Sequence, residues 1–146
     1  MTSRLSWLLD TNVASELMRA RTDRRVARFL SRIANEQVGL AAISVWEVLN
    51  GIRKLPAGRR RSALDTRFRN VLDSYRDRVL PWTEDDARVC ARIMEEKRRR
   101  GESLDAQLPD AFLAAVAVRR GLTIVTRNTR DFENTGARTV NPWKDP

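Results

Sequence analysis

The chain has 146 residues, 42% of them apolar, which suits a single domain over residues 1–146 with a core of its own. No apolar run approaches the roughly 20 residues of a membrane span, so no membrane association is expected. The opening apolar run is too short for a signal-peptide core, and the lone cysteine, Cys90, excludes an internal disulfide framework; a cytoplasmic protein is expected. Lys and Arg number 28 against 19 acids, a formal charge of +9 that favours a polyanionic partner such as nucleic acid, although an arginine-rich composition alone gives the same excess. There is no histidine, which removes His-based acid–base chemistry and His zinc sites. Any metal must therefore be held by oxygen, which points to Mg²⁺ or Mn²⁺.

In chain order, residues 5–9 read as a short apolar strand stopped by Asp10-Thr11-Asn12. Residues 13–19 read as a short helix, and residues 23–33 carry Val26, Phe29, Leu30 and Ile33 at helical spacing. Residues 38–41 are a second strand. Ser44 opens a helix that runs to about residue 54 and is ended by Pro56 and Gly58. Residues 63–75 form an amphipathic helix with Leu64, Phe68, Val71, Leu72 and Tyr75 on one face, and Val79-Leu80 is a short strand. Thr83 caps the next helix, whose first turn holds Glu84, Asp85 and Asp86 at the positive end of the dipole. That helix runs through Lys97 to Arg100 and stops at Gly101. Pro109 lies in the first turn of another, stopping near Gly121. Residues 123–126 are a β-branched strand, and residues 138–140 the last. The basic runs at residues 59–61 and 97–100 read as solvated helix faces, with RNA contact as the alternative.

Short apolar strands alternating with helices imply an α/β domain, with a mostly parallel sheet and helices on both faces. Ligands of such sheets bind beyond the carboxyl ends of the strands. Asp10 follows a strand directly, with helix capping as its alternative role. Glu47, in Ser44-Val45-Trp46-Glu47, fits a capping box with Ser44, or else points to a shared site. Asp110 opens the nearly all-apolar helix Ala111-Phe112-Leu113-Ala114-Ala115-Val116, either to complement the dipole or to bind a cation. Asn128 and Asp131 follow the strand at residues 123–126, in a loop or in the same site. Clustered carboxylates repel one another unless a cation neutralises them, and a divalent ion also stabilises charge on a phosphoryl oxygen. A histidine-free acidic site on a basic chain suggests metal-assisted phosphodiester hydrolysis.

The motifs resemble those of PIN-domain ribonuclease toxins of the VapC and FitB type. Leu8-Leu9-Asp10-Thr11-Asn12-Val13-Ala14-Ser15-Glu16 is similar to their opening motif, and Ser44-Val45-Trp46-Glu47-Val48 to their second. Pro109-Asp110-Ala111-Phe112-Leu113-Ala114-Ala115-Val116-Ala117 resembles the third and Thr126-Arg127-Asn128-Thr129-Arg130-Asp131-Phe132 the fourth, with Asn141-Pro142-Trp143 like a FitB-type ending. The resemblance implies a PIN-like fold and an Mg²⁺-dependent endoribonuclease with Asp10, Asp110 and Glu47 on the metal. Asn128 stands where some relatives carry an acid; it brings a carbonyl oxygen but no charge, and Asp131 is the alternative, so one or two metals remain open. The resemblance also implies an RNA substrate, a homodimer, and a cognate VapB-like antitoxin that joins it in a hetero-oligomer. Two other readings stand beside the toxin: a PIN-domain RNA-processing nuclease without an antitoxin, and a catalytically silent nucleic-acid-binding domain. Thr11 is expected to position a water or a phosphate, and Arg127 and Arg130 to meet substrate phosphates.

Overall fold

Successive residues of each strand point to opposite faces of a sheet, and this chain buries both. Leu8, Ala41 and Ile124 pack on one side; Leu9, Leu40 and Val125 pack on the other. The computed structural model, which describes residues 5–103 and 108–144, resolves this pattern into a five-stranded sheet. The strands are β1 (Trp7–Leu9), β2 (Val38–Ala41), β3 (Val79–Leu80), β4 (Thr123–Val125) and β5 (Arg138–Val140). Their order is β3-β2-β1-β4-β5, and every pairing is parallel. β1 is central, in register with Val38–Leu40 on one side and Thr123–Val125 on the other.

Among the described residues six α-helices cover the sheet: α1 (Thr11–Leu17), α2 (Arg24–Arg32), α3 (Ala42–Arg53), α4 (Arg59–Ser74), α5 (Glu84–Arg99) and α6 (Leu108–Arg120). Val13 and Ala14 of α1, Val26 and Phe29 of α2, Val48 and Ile52 of α3 and Phe68 of α4 join the Leu9 side. Val89, Cys90 and Ile93 of α5 and residues 111 and 113–117 of α6 join the Leu8 side. This is the expected α/β sandwich. Gly101 and Gly121 end α5 and α6 in left-handed backbone (φ 75° and 68°), and the next N–H of each turn reaches back to Lys97 and Ala117. No described helix is long and apolar enough to cross a membrane.

Four local expectations change. α1 begins two residues early because Asp10 itself caps it, its Oδ1 accepting from the Thr11 N–H at 2.7 Å. α4 begins at Arg59, so the basic run forms its first turn. α3 starts at Ala42 directly after β2, with no side-chain cap; Ser44 is inside the helix, fully buried, with its hydroxyl unpartnered among the described residues. The capping box between Ser44 and Glu47 is therefore absent. Lys97 does not lie on a solvated face: it is 2% exposed, with its ammonium 3.8 Å from Glu102 Oε1, while Arg98, Arg99 and Arg100 are exposed. Lys97 falls on the buried stripe Asp86, Val89, Cys90, Ile93 of α5, and the long stem tolerates that position once a carboxylate meets its end.

Candidate active site

Parallel strands point all their carboxyl ends one way, so the residue after each strand reaches one edge of the sheet. Asp10 follows β1 and Thr126 follows β4, and these neighbouring strands bring the two side chains together. The Thr126 hydroxyl donates to Asp10 Oδ2 at 2.7 Å, a fully buried bond. Asn12 Nδ2 donates to the same oxygen at 3.1 Å, while Asn12 Oδ1 accepts from the Arg127 N–H at 3.3 Å. Thr126 Oγ1 also accepts from the Asn128 N–H at 3.0 Å. Two side chains thus bridge the β1 and β4 loops across the edge.

β2 delivers α3, and its second turn points Glu47 at the same place. Glu47 Oε1 accepts from the Thr11 hydroxyl at 2.7 Å. Thr11 is thereby committed to orienting Glu47. α6 brings Asp110 in from the other face of the sheet, in its first turn and half-buried. The short 3-10 turn Thr129–Phe132 after β4 carries Asp131, exposed on the rim.

Electrostatics show that these four acids form one cluster. Burial pushes the Asp10 carboxyl up, and the charges of Glu47 and Asp131 add to that; hydrogen bonds from Thr126 and Thr11 oppose it. Burial also raises Asp110, and repulsion from Asp131, Asp10 and Glu47 carries it further, to about 7, against a smaller opposing pull from Lys97. Asp131 acts on both Asp10 and Asp110 and makes no side-chain hydrogen bond among the described residues, so it is not serving as a cap. Asn128 is exposed and likewise contributes only its backbone N–H.

Acids whose charges raise the Asp10 and Asp110 carboxyls in this way fit a hard divalent cation, since the donors are all oxygen and their shared charge is what such an ion removes. The coordination shell is not preformed: among the described residues, no three acids are gathered closely enough to cage an ion as they stand. The mutual repulsion acts over longer distances than ligation does, which reconciles the two observations. Asp10 and Glu47 are instead held by protein hydroxyls and amides.

The PIN domain family profile matches residues 7–137. The chain belongs to the PIN-domain family. A VapC ribonuclease of Sinorhizobium fredii is 37% identical over 94% of this chain and 97% of its own. The toxin FitB of Neisseria gonorrhoeae is 34% identical over 94% of this chain and 99% of its own. The crystal structure of FitAcB from Neisseria gonorrhoeae superposes with a TM-score of 0.83 at 34% identity, covering 94% of this chain and 98% of that one. The expected PIN-like architecture is thus observed in full.

Two polar residues with long-range roles, one in this PIN-domain site and one outside it, were not singled out from the sequence. Thr126 had a signal, being the polar residue at the carboxyl end of a buried strand, as Asp10 is. Asp86 did not: it reads as a dipole-complementing acid, yet it is fully buried. It closes a capping box with Thr83 and accepts from Arg119 Nε at 2.7 Å and Arg120 at 2.9 Å, locking α5 to the last turn of α6, the opposite end from Asp110.

Proposed function

We infer that this chain is the toxin of a toxin–antitoxin pair, an endoribonuclease that hydrolyses RNA phosphodiester bonds with the help of Mg²⁺ or Mn²⁺. The observation that carries the reading is the convergence of Asp10, Glu47 and Asp110 on one edge of a parallel sheet, with Asp110 raised to about 7 by burial and by its acidic neighbours. The similarity to a VapC ribonuclease and to the FitB toxin over nearly the whole chain supports both the activity and the toxin role. Pure nucleic-acid binding gains nothing from carboxylates that repel phosphate.

Asp10, Glu47 and Asp110 would hold the cation, which when bound supplies activation of water and stabilisation of the phosphoryl charge. The protein supplies the rest. Thr126 and Asn12 fix the Asp10 carboxylate, and Thr11 fixes Glu47. Asp131 adds a fourth negative charge at the rim, where an incoming cation meets it first. Arg127 and Arg130 flank the acids and face solvent, placed to draw in a polyanion.

An antitoxin has a place to bind. A groove between α1 and α4, with Ser15, Met18 and Leu64 along its floor, opens beside Thr11 and Glu47 and is rimmed by Arg19 and Arg67. A segment that folds on binding would lie along it and reach the acids with an Arg or Lys.

The deciding experiment is RNA cleavage by purified protein in Mg²⁺ and in EDTA, with Asp10→Asn and Asp110→Asn as controls and circular dichroism to verify folding. Cleavage should need the metal and be lost in both variants. Full activity in EDTA would exclude the metal-dependent mechanism.

A further inference from the structure

We propose that Arg127 is the phosphate-contacting residue of the site and that Trp143 is a positioning residue whose ring seats its guanidinium there. The proposal rests on the ribonuclease reading and adds what grips the substrate.

The Arg127 guanidinium lies over the Trp143 ring, 5.0 Å from its centroid. Its backbone is held at both ends: the N–H donates to Asn12 Oδ1 at 3.3 Å, and the carbonyl accepts from Asn141 Nδ2 at 3.1 Å. Asn12 is itself bonded to Asp10, and the preceding residue, Thr126, bonds Asp10 directly. Arg127 is therefore built onto the acidic cluster, yet it is exposed and in no ion pair among the described residues. A charged side chain fixed in place without a carboxylate partner is suited to an external anion.

The ring has its own anchors. Trp143 is 6% exposed and packs on the Leu9 side of the sheet. The backbone that carries it is bonded as well: the Trp143 backbone N–H donates to Asn141 Oδ1 at 2.9 Å, and the Trp143 backbone carbonyl accepts from Arg25 at 3.0 Å. Arg25 is held in turn by Asp23, the cap of α2. The turn after β5 thus fixes the backbone of a buried ring, and a guanidinium over the face of that ring is held by cation–π attraction in an exposed position. Asn141 serves both ends, holding the Arg127 carbonyl and the Trp143 backbone N–H with one side chain. Packing alone explains why Trp143 is buried, but not why the turn that buries it also fixes the backbone of the arginine stacked on it.

The test is a comparison of Arg127→Ala, Arg127→Lys, Trp143→Leu, Trp143→Phe and the double variant Arg127→Ala/Trp143→Leu. Binding of a labelled single-stranded RNA oligonucleotide is measured in EDTA across a salt series, and KM and kcat in Mg²⁺. Arg127→Ala should weaken binding about tenfold and reduce the slope of log Kd against log salt by about one, with the loss expressed mainly in KM. Trp143→Leu should weaken binding severalfold with the slope retained. It should cost nothing further in the Arg127→Ala background, and Trp143→Phe should restore most of the loss. Equal losses from Trp143→Leu with and without Arg127, or an unchanged slope in Arg127→Ala, would overturn the proposal. If Trp143→Leu fails to fold, Arg127→Lys decides: full binding by lysine, which lacks the flat stacking surface, rejects the seat. Wild-type protein that neither binds nor cuts RNA would instead sink the ribonuclease reading itself.

Discussion

Thr126 donates a buried 2.7 Å hydrogen bond to Asp10 across 116 residues of sequence, joining the ends of the central strand and its neighbour β4 at the acidic cluster. A threonine in this position orients a carboxylate without neutralising it. Thr126→Val keeps the shape and removes the donor. It should cost about 1–3 kcal/mol of stability, because a buried acceptor loses a partner. Activity should fall roughly 10- to 100-fold, the scale of lost support around a metal ligand. Thr126→Ser should retain most of both. Thermal unfolding and RNA cleavage check this, and a fully active Thr126→Val would show that Asp10 needs no such support.

Asp131 and Asn128 separate cleanly in the structure, although both follow β4. The Asp131 charge acts on Asp10 and Asp110, whereas Asn128 offers only its backbone to the site. Asp131→Asn should therefore weaken Mg²⁺ affinity by about tenfold or more. Asn128→Ala should change it less, with stability nearly intact. Calorimetric titration of the metal into each variant measures both. A larger effect from Asn128→Ala would make the amide the fourth ligand.

Asp110 couples stability to pH and to metal. Its pKa is raised from 3.8 to about 7, so between those values the fold holds a proton that the unfolded chain has released. Metal-free stability should accordingly fall as pH rises through this window and level off above it. After allowance for solvent screening, the loss is on the order of 1–3 kcal/mol. Asp110→Asn should flatten the slope and be more stable than the wild type at pH 8 in EDTA, while losing cleavage. Mg²⁺ should stabilise the wild type more at pH 8 than at pH 5, since protons compete for the ligand. Melting temperatures at the two pH values, with and without metal, give the answer.

Asp86 predicts the opposite pH response. Burial pushes its carboxyl up, but hydrogen bonds from Arg119, Thr83 and Arg120 outweigh this and hold it below the ordinary value. A depressed pKa contributes stability above about pH 4, which is lost as pH falls through the lower native value. Asp86→Asn should cost about 2–4 kcal/mol at pH 7, because two arginines lose their shared partner. Specific activity per folded molecule should be unaffected, which separates this cluster from the active site. A drop in kcat at full folding would join the two.

The parts of this molecule that local pattern governs were legible in the sequence. Short apolar strands alternating with helices implied the parallel sheet, polar residues after strands pointed to Asp10 and the β4 loop, and an acid opening a nearly all-apolar helix pointed to Asp110. Local rules misled where a long-range contact decided the outcome. Ser44 and Glu47 match a capping box at i and i+3, but Glu47 is drawn to Thr11, 36 residues away, and the helix starts two residues before Ser44. Asp86 looks like an ordinary first-turn acid until α6 brings Arg119 and Arg120 onto it. Lys97 looks like one of a basic run, and only its phase on the buried stripe of α5 distinguishes it.

The groove between α1 and α4 gives the proposed antitoxin a testable address. Its floor is apolar and its rim basic, which suits a partner segment with apolar residues on one face and acids beside them. The groove ends at Thr11 and Glu47, so the end of such a segment lies within reach of the acids, where a guanidinium would pair with carboxylates in a fixed fork. Expression of the wild-type chain alone should arrest growth, and co-expression of its antitoxin should relieve the arrest. Asp10→Ala should be harmless and should still bind the antitoxin, because most of the contact lies along the groove. Leu64→Glu should remain toxic yet escape neutralisation, since it places a charge on the apolar floor while leaving the acids untouched. Pull-down of each variant with the antitoxin, alongside growth curves and circular dichroism, distinguishes these outcomes. Neutralisation of Leu64→Glu at wild-type antitoxin levels would move the partner off this groove. A wild-type chain that is folded, expressed in its own host and without effect on growth would favour an RNA-processing nuclease that has no antitoxin.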